Sequence, residues 1–251
     1  MKLLRFGTLL VFPLLCSCAA SKAPLTVAEP VATSPTQNIQ QEEKKPEPEK
    51  TEEVVWKIDT QDKVVALTFD DGPSPKYTPQ LLALLKQYDV HATFFLVGEN
   101  VEKHPELVQQ EVSAGHEIGN HTYTHTNINQ LSAEQFHEEV KKTSEAIERV
   151  TGNKTHFFRP PEGARNEIMM KETAKDDLVT IMWDEDSQDW KKPGVNKIIS
   201  NVLPHLKGGN IILFHDHAGE QNQKSLQKLI PELKQQGYRF VTISELMKYK
   251  K

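Results

Sequence analysis

Two aspartates, Asp70 and Asp71, stand side by side in LTFDDGPSP, at the end of an apolar run and directly before Gly72 and Pro73. Adjacent carboxylates repel one another and Asp is depleted in strands, so such a pair calls for a cation or for hydrogen-bond donors. The same residue types also make an ordinary tight turn. Further on, HTYTH sets His121 and His125 four residues apart, a spacing that places two imidazoles on one face of a helical turn. Thr122, Tyr123 and Thr124 between them are poor helix formers, which predicts a single turn or tight loop rather than a helix. Two histidines with one carboxylate and an open fourth position make the ligand set of a catalytic zinc, and either aspartate could supply the carboxylate. Read alone, the histidine pair is equally compatible with polar surface.

Such residues reach one site only if the elements between them bring them together. VVALTF reads as a buried strand, TFFLV (Thr93 to Val97) as the next, and HEIGN as a short third. Further strand candidates are Phe157 to Arg159, Val179 to Trp183, Asn210 to Phe214 and Arg239 to Ile243. Between them lie helical patterns: TPQLLALLKQYD, PELVQQEVSAG, and stretches at about 166–175, 195–206 and 225–236. The clearest helix is LSAEQFHEEVKKTSEAIERVTG, with a capping-box pattern at Ser132 and Gln135 and Gly152 as its stop. About seven strands alternating with helices favour a parallel α/β sheet, open or closed into a barrel. The polar motifs DD, HTYTH, RPPEG, DSQDW and FHDH all fall at carboxyl ends of strands, where loops of such folds converge.

Composition narrows the field. The chain has 251 residues, 37% hydrophobic and 26% charged, enough for one large core or two small ones. A net charge of -5 argues against a nucleic-acid partner, which usually selects a basic excess. Both cysteines, Cys16 and Cys18, lie in the first twenty residues, so the folded part carries neither a disulfide framework nor a thiolate metal site.

TFDDGP, HTYTH, RPPEG, DSQDW and LFHD, in that order, resemble the five signature motifs of the polysaccharide deacetylases, carbohydrate esterase family 4. The resemblance runs from about Val64 to Ser244. It implies a distorted, incomplete (β/α) barrel, a divalent metal that is usually zinc, and removal of acetyl groups from an N-acetylated sugar polymer such as peptidoglycan or a chitooligosaccharide. By the same resemblance Asp70 is the catalytic base and Asp71, His121 and His125 are the metal ligands. Arg159 holds the base, His215 is the general acid and Asp189 orients and charges it. Trp190 walls the site and Leu213 lines the acetyl pocket. His217 and Asp216 match no role and are expected at the surface. One position departs from the family: Glu162 stands where an aromatic residue is usual, and its backbone N–H would contribute to the oxyanion hole. The substitution keeps that donor, removes an aromatic wall and adds a negative charge. A non-catalytic sugar-binding protein with the same fold, or an esterase removing O-acetyl groups, would use the same motifs.

The amino terminus carries other signals. Lys2 and Arg5 precede an apolar run from Phe6 to Leu15, the grammar of a signal peptide over residues 1–17 and too short for a spanning helix. LCSC resembles a lipoprotein cleavage site, with Cys18 as the lipidated residue and an extracytoplasmic, membrane-anchored location as the expectation. Residues 18–53 are rich in Pro, Glu, Thr and Gln without hydrophobic periodicity, which predicts a disordered tether with a reach of roughly 30 Å. The folded domain is expected over 54–251.

Overall fold

The computed structural model describes residues 53–250. The leader, Cys18 and all of the tether but Glu53 therefore lie outside the described residues. Among these, nine strands and eight α-helices alternate. The strands are β1 (Val54–Val55), β2 (Val64–Gly72), β3 (Thr93–Leu96), β4 (Glu117–Asn120), β5 (Phe157–Phe158), β6 (Val179–Ile181), β7 (Glu185–Asp186), β8 (Ile211–His215) and β9 (Arg239–Val241). The helices are α1 (Thr78–Gln87), α2 (Gly98–Lys103), α3 (Pro105–Ser113), α4 (Ala133–Thr151), α5 (Glu167–Lys175), α6 (Val195–Val202), α7 (Glu220–Gln235) and α8 (Ile243–Met247).

The strands form one sheet in the order β1-β6-β5-β4-β3-β2-β8-β7, with β9 beside the first half of β2. Every strand pairing is parallel. The sheet curls without closing: β1 and β7 are its unpaired ends, and Lys57, just past β1, makes a single antiparallel bridge to Asn210 at the start of β8. This is the distorted, incomplete barrel that the motifs imply.

Side chains alternate along β2, and the alternation sorts the interior. Val65, Leu67 and Phe69 face the helices, joining Leu81, Leu85, Phe94, Phe214 and Leu229 in the larger core. Phe69 stacks on Phe94 with ring centroids 5.1 Å apart. Val64 and Ala66 face the concave side and pack with Phe95, Phe157, Ile181 and Ile211. The same parity carries Thr68 and Asp70 inward at the carboxyl end, so the concave side is apolar at its base and polar at its mouth.

Local signals account for most boundaries. The α4 capping box is present at Ser132 and Gln135, and Gly152 ends the helix in the left-handed conformation with φ 73°. Other boundaries differ from the sequence reading. The strand expected through Ile243 stops at Val241, because Thr242 and Glu245 form the capping box of α8. Helix α7 begins at Glu220, five residues earlier than its apolar pattern, and α6 ends at Val202. Two-residue strands such as β1 and β7 are too short to show a period, which explains nine strands where about seven were expected.

Candidate active site

Asp70 and Asp71 belong to one strand, yet both enter the cleft. Asp71 has a left-handed backbone, φ 71°, and the pairing of β2 with β3 skips a residue between Asp70 and Gly72. This bulge breaks the alternation that would have turned Asp71 to the helical side. The reversal occurs at Asp71 itself, one residue before Gly72. Asn100, on α2, secures the bulge by donating its side-chain N–H to the Asp71 carbonyl at 3.0 Å.

Asp70 is buried and receives the Arg159 guanidinium, Nη1 to Oδ1 at 2.8 Å. Arg159 has no exposed surface at all. It also donates to the Thr68 hydroxyl (2.8 Å) and to the carbonyls of Ile181 (3.0 Å) and Met182 (3.1 Å), and lies 4.1 Å over the Phe95 ring. Burial pulls its pKa down from the ordinary guanidinium range, and the charge and hydrogen bond of Asp70 oppose that. A planar fork with each arm occupied fixes the Asp70 carboxylate in one orientation.

The histidine segment is an irregular loop after β4, with Thr122 and His125 both at positive φ, 63° and 58°. A tight loop rather than a helix was expected, and the supports that shape it come from neighbouring helices. The first N–H groups of α2, from Gly98 and Glu99, donate to the carbonyls of Thr122 and Tyr123. Glu139, on α4, accepts from the amides of Tyr123 (2.9 Å) and Thr124 (2.7 Å). Gly98 must be glycine: a Cβ there would stand 2.5 Å from the Tyr123 ring and 2.6 Å from the Thr143 hydroxyl.

His121, His125 and Asp71 converge so that one ligand atom from each lies within 4.8 Å of the others. His121 Nε2 is 3.3 Å and His125 Nε2 3.1 Å from the same atom, Asp71 Oδ1. That oxygen is buried and has no hydrogen-bond partner. His121 Nδ1 faces the Arg159 carbonyl at 2.7 Å, an acceptor, so Nδ1 carries the proton and Nε2 presents its lone pair to the carboxylate. A lone pair aimed at an orphaned carboxylate oxygen is a pair of acceptors awaiting a cation. The donor set, two imidazole nitrogens and one carboxylate oxygen, fits a divalent ion such as zinc with a position left open.

On the neighbouring strand β8, His215 is the register partner of Asp70. His215 Nδ1 is 2.7 Å from Asp189 Oδ1, and its backbone N–H donates to Asp189 Oδ2 at 2.8 Å. Asp189 is buried. Burial lowers the His215 pKa, but the hydrogen bond and charge of Asp189, with Asp70 and Asp71 beyond, raise it to about 9. Leu213 is two residues earlier on β8, on the same concave side as Ile211 and His215. Trp190, 51% exposed, stands on the short turn Asp189–Lys191.

Glu162 is exposed on the turn after β5, in a left-handed conformation (φ 57°) that is uncommon for a residue with a side chain. Its carboxylate accepts from the Asn127 side chain at 3.0 Å. The surface position expected for Asp216 needs correction, while His217 is exposed as expected. Asp216 is buried: it accepts from the Thr78 hydroxyl and from the Ser74 amide, holding the turn after β8 against the start of α1. His217 is half exposed, but its Nδ1 lies 3.3 Å from Asp71 Oδ2. Sequence reasoning also missed Thr68, Asn100 and Glu139, which position the site from a strand and two helices. In one sequence nothing separates Glu139 from the other charged residues of EEVKK.

Comparison with known proteins identifies the family. The family model for polysaccharide deacetylase matches residues 57–181, which contain Asp70, Asp71, His121, His125 and Arg159. A peptidoglycan-N-acetylglucosamine deacetylase of Bacillus cereus is 42% identical over 206 residues, 80% of this chain and 96% of that one. Among solved structures, a peptidoglycan N-acetylglucosamine deacetylase, Bc1960, superposes with a TM-score of 0.74 at 38% identity, covering 77% of this chain and 92% of that one. A pseudoenzyme of the same esterase family from Bacillus anthracis gives 0.75 at 33% identity, covering 80% and 71%. With its fold, its ordered motifs and a relative matched almost end to end, the chain belongs to the polysaccharide deacetylase family.

Proposed function

We propose that the protein hydrolyses acetyl groups from N-acetylated sugar polymers, with peptidoglycan N-acetylglucosamine as the first substrate and N-acetylmuramic acid as the second. The observation that carries this reading is the presence of two hydrogen-bonded charge pairs, Asp70–Arg159 and His215–Asp189, beside the His121, His125 and Asp71 cluster. An amide has an unreactive carbonyl and a poor leaving group, so its hydrolysis needs a base, an acid and charge stabilisation.

A divalent cation held by Asp71, His121 and His125, most simply zinc, would polarise the amide carbonyl and acidify water. Asp70, with Oδ1 engaged by Arg159, turns Oδ2 toward the cluster, 3.7 Å from His121 Nε2, where it would take the proton of the attacking water. His215, its Nδ1 engaged by Asp189, presents Nε2 to protonate the departing sugar nitrogen. Each positioned proton transfer is typically worth about 10²- to 10⁴-fold. The Glu162 N–H supplies an oxyanion donor, while Leu213 bounds the acetyl methyl and Trp190 offers an aromatic face to the sugar chain.

The chain's beginning supports a location for this chemistry. We read residues 1–17 as a lipoprotein signal peptide, Cys18 as the anchor, and 18–53 as a tether that holds the domain of 54–251 outside the cytoplasmic membrane, close to the cell's own wall. The test is mass spectrometry of purified wall fragments incubated with the full-length protein, where one acetyl mass should disappear per modified sugar. A second reading, a non-catalytic sugar-binding protein, is favoured by one observation, the similarity to the Bacillus anthracis pseudoenzyme. Unchanged fragments that nevertheless bind the protein would support it. Removal of O-acetyl groups needs the same residues, and the position of the lost acetyl in the fragment spectrum separates it from N-deacetylation.

A further inference from the structure

Of the three polar residues of FHDH, His217 alone has a part neither in the proposed reaction nor in holding the turn. Each of these three reaches a different partner. His215 turns to Asp189, Asp216 ties the turn to Ser74 and Thr78, and His217 swings back to Asp71. Asp71 is thereby addressed on both oxygens: Oδ1 by His121 and His125 at 3.3 and 3.1 Å, Oδ2 by His217 Nδ1 at 3.3 Å. His217 stays outside the compact ligand cluster, which among the described residues comprises Asp71, His121 and His125. Its ring also stands edge-on to His215, with centroids 6.0 Å apart, so one short turn links the acid and the metal carboxylate.

We propose that His217 is a positioning residue for the metal: its Nδ1–H holds the outer oxygen of Asp71, so that the carboxylate offers the ion a single oxygen and a coordination place stays free for water and substrate. This rests on the reading of Asp71, His121 and His125 as metal ligands. A carboxylate free at its outer oxygen can rotate to grip an ion with both atoms, filling the place the substrate carbonyl needs. A donor at Oδ2 prevents this, and it also orients the ligand before the ion arrives. A small ring rotation turns the 3.3 Å contact into a charge-assisted hydrogen bond. Removing such an outer partner typically weakens metal binding about 10- to 100-fold. The position is well suited to a direct test, because the His217 side chain is 53% exposed and a change there leaves the buried core untouched.

The experiment is zinc titration of the purified full-length protein against a chromophoric chelator, for wild type, His217→Ala, His217→Asn and His121→Ala. Wild type should hold one zinc, His217→Ala should bind it about 10- to 100-fold more weakly, and His217→Asn, whose amide N–H reaches nearly the place of Nδ1, should recover most of the loss. Steady-state kinetics with saturating zinc should still show a lower kcat for His217→Ala, because the carboxylate is then free to close the open place. Equal zinc affinity in wild type and His217→Ala overturns the inference and leaves the ligand assignment standing. A loss as complete as in His121→Ala, with no recovery in His217→Asn, also overturns it, since His217 would then be a ligand itself. A wild type that binds no zinc overturns the ligand reading and this inference with it.

Discussion

Asp189 grips His215 twice, through the ring nitrogen at 2.7 Å and through the backbone amide at 2.8 Å. One carboxylate therefore sets both the place of the strand end and the proton affinity of the imidazole. With the His215 pKa raised to about 9, the acid stays protonated through neutral pH, and turnover should fall only as pH rises through about 9. Asp189→Asn removes the charge and should move this alkaline limb down toward 6.5, the ordinary value for His. The same shift makes the pair's contribution to stability complete below about 6.5 and lost as pH climbs through about 9, because the raised pKa belongs to the folded state. Kinetics and denaturation across pH 6 to 10 check both; an unmoved limb in Asp189→Asn would show that another group sets it.

Asp70→Asn should retain zinc and lose turnover by about 10²- to 10⁴-fold, the usual worth of a positioned base. The amide preserves the contact with Arg159 but cannot take the proton. Elemental analysis and kinetics of the same preparation decide, and metal loss in this variant would mean that the two aspartates exchange roles.

Alanine at His121 should abolish tight zinc binding and activity together, since two ligands do not hold the ion that three do. A chelator should inactivate the wild type reversibly, with activity returning in proportion to zinc restored. Stoichiometric zinc in His121→Ala would place the ligands elsewhere.

Glu162→Tyr tests the one departure from the family. The backbone donor is unchanged by the swap, so turnover should move less than about tenfold, against the 10²- to 10³-fold that loss of an oxyanion donor costs. The Michaelis constant or the preferred sugar should change instead, because an aromatic wall replaces a charge that faces Asn127 and raises the His125 pKa together with Asp71 and Asp70. An inactive wild type made active by this substitution would support the sugar-binding reading.

Cys18→Ser should abolish lipid attachment and either release the protein to the medium or leave its leader uncleaved. Detergent phase partitioning and mass spectrometry of the mature amino terminus read the outcome. Partitioning identical to wild type would remove the anchor.

The sequence by itself determined the family, most of the order of strands and helices, and the residues that are candidates for the chemistry. These were legible because their signals are local: an apolar run makes β2, a capping box and a terminal glycine bound α4, and five short motifs each stand at a strand end. What only the tertiary structure decided is how those residues are aimed. The left-handed turn at Asp71 is held by Asn100 from α2, and the histidine loop is held by Glu139 from α4. The burial of Asp216 depends on α1 lying above it, and the approach of His217 to Asp71 depends on β2 and β8 being neighbours in the sheet. Side-chain direction at a strand end follows from backbone angles and partners supplied by segments many residues away, and a linear pattern carries no record of which distant donor will arrive.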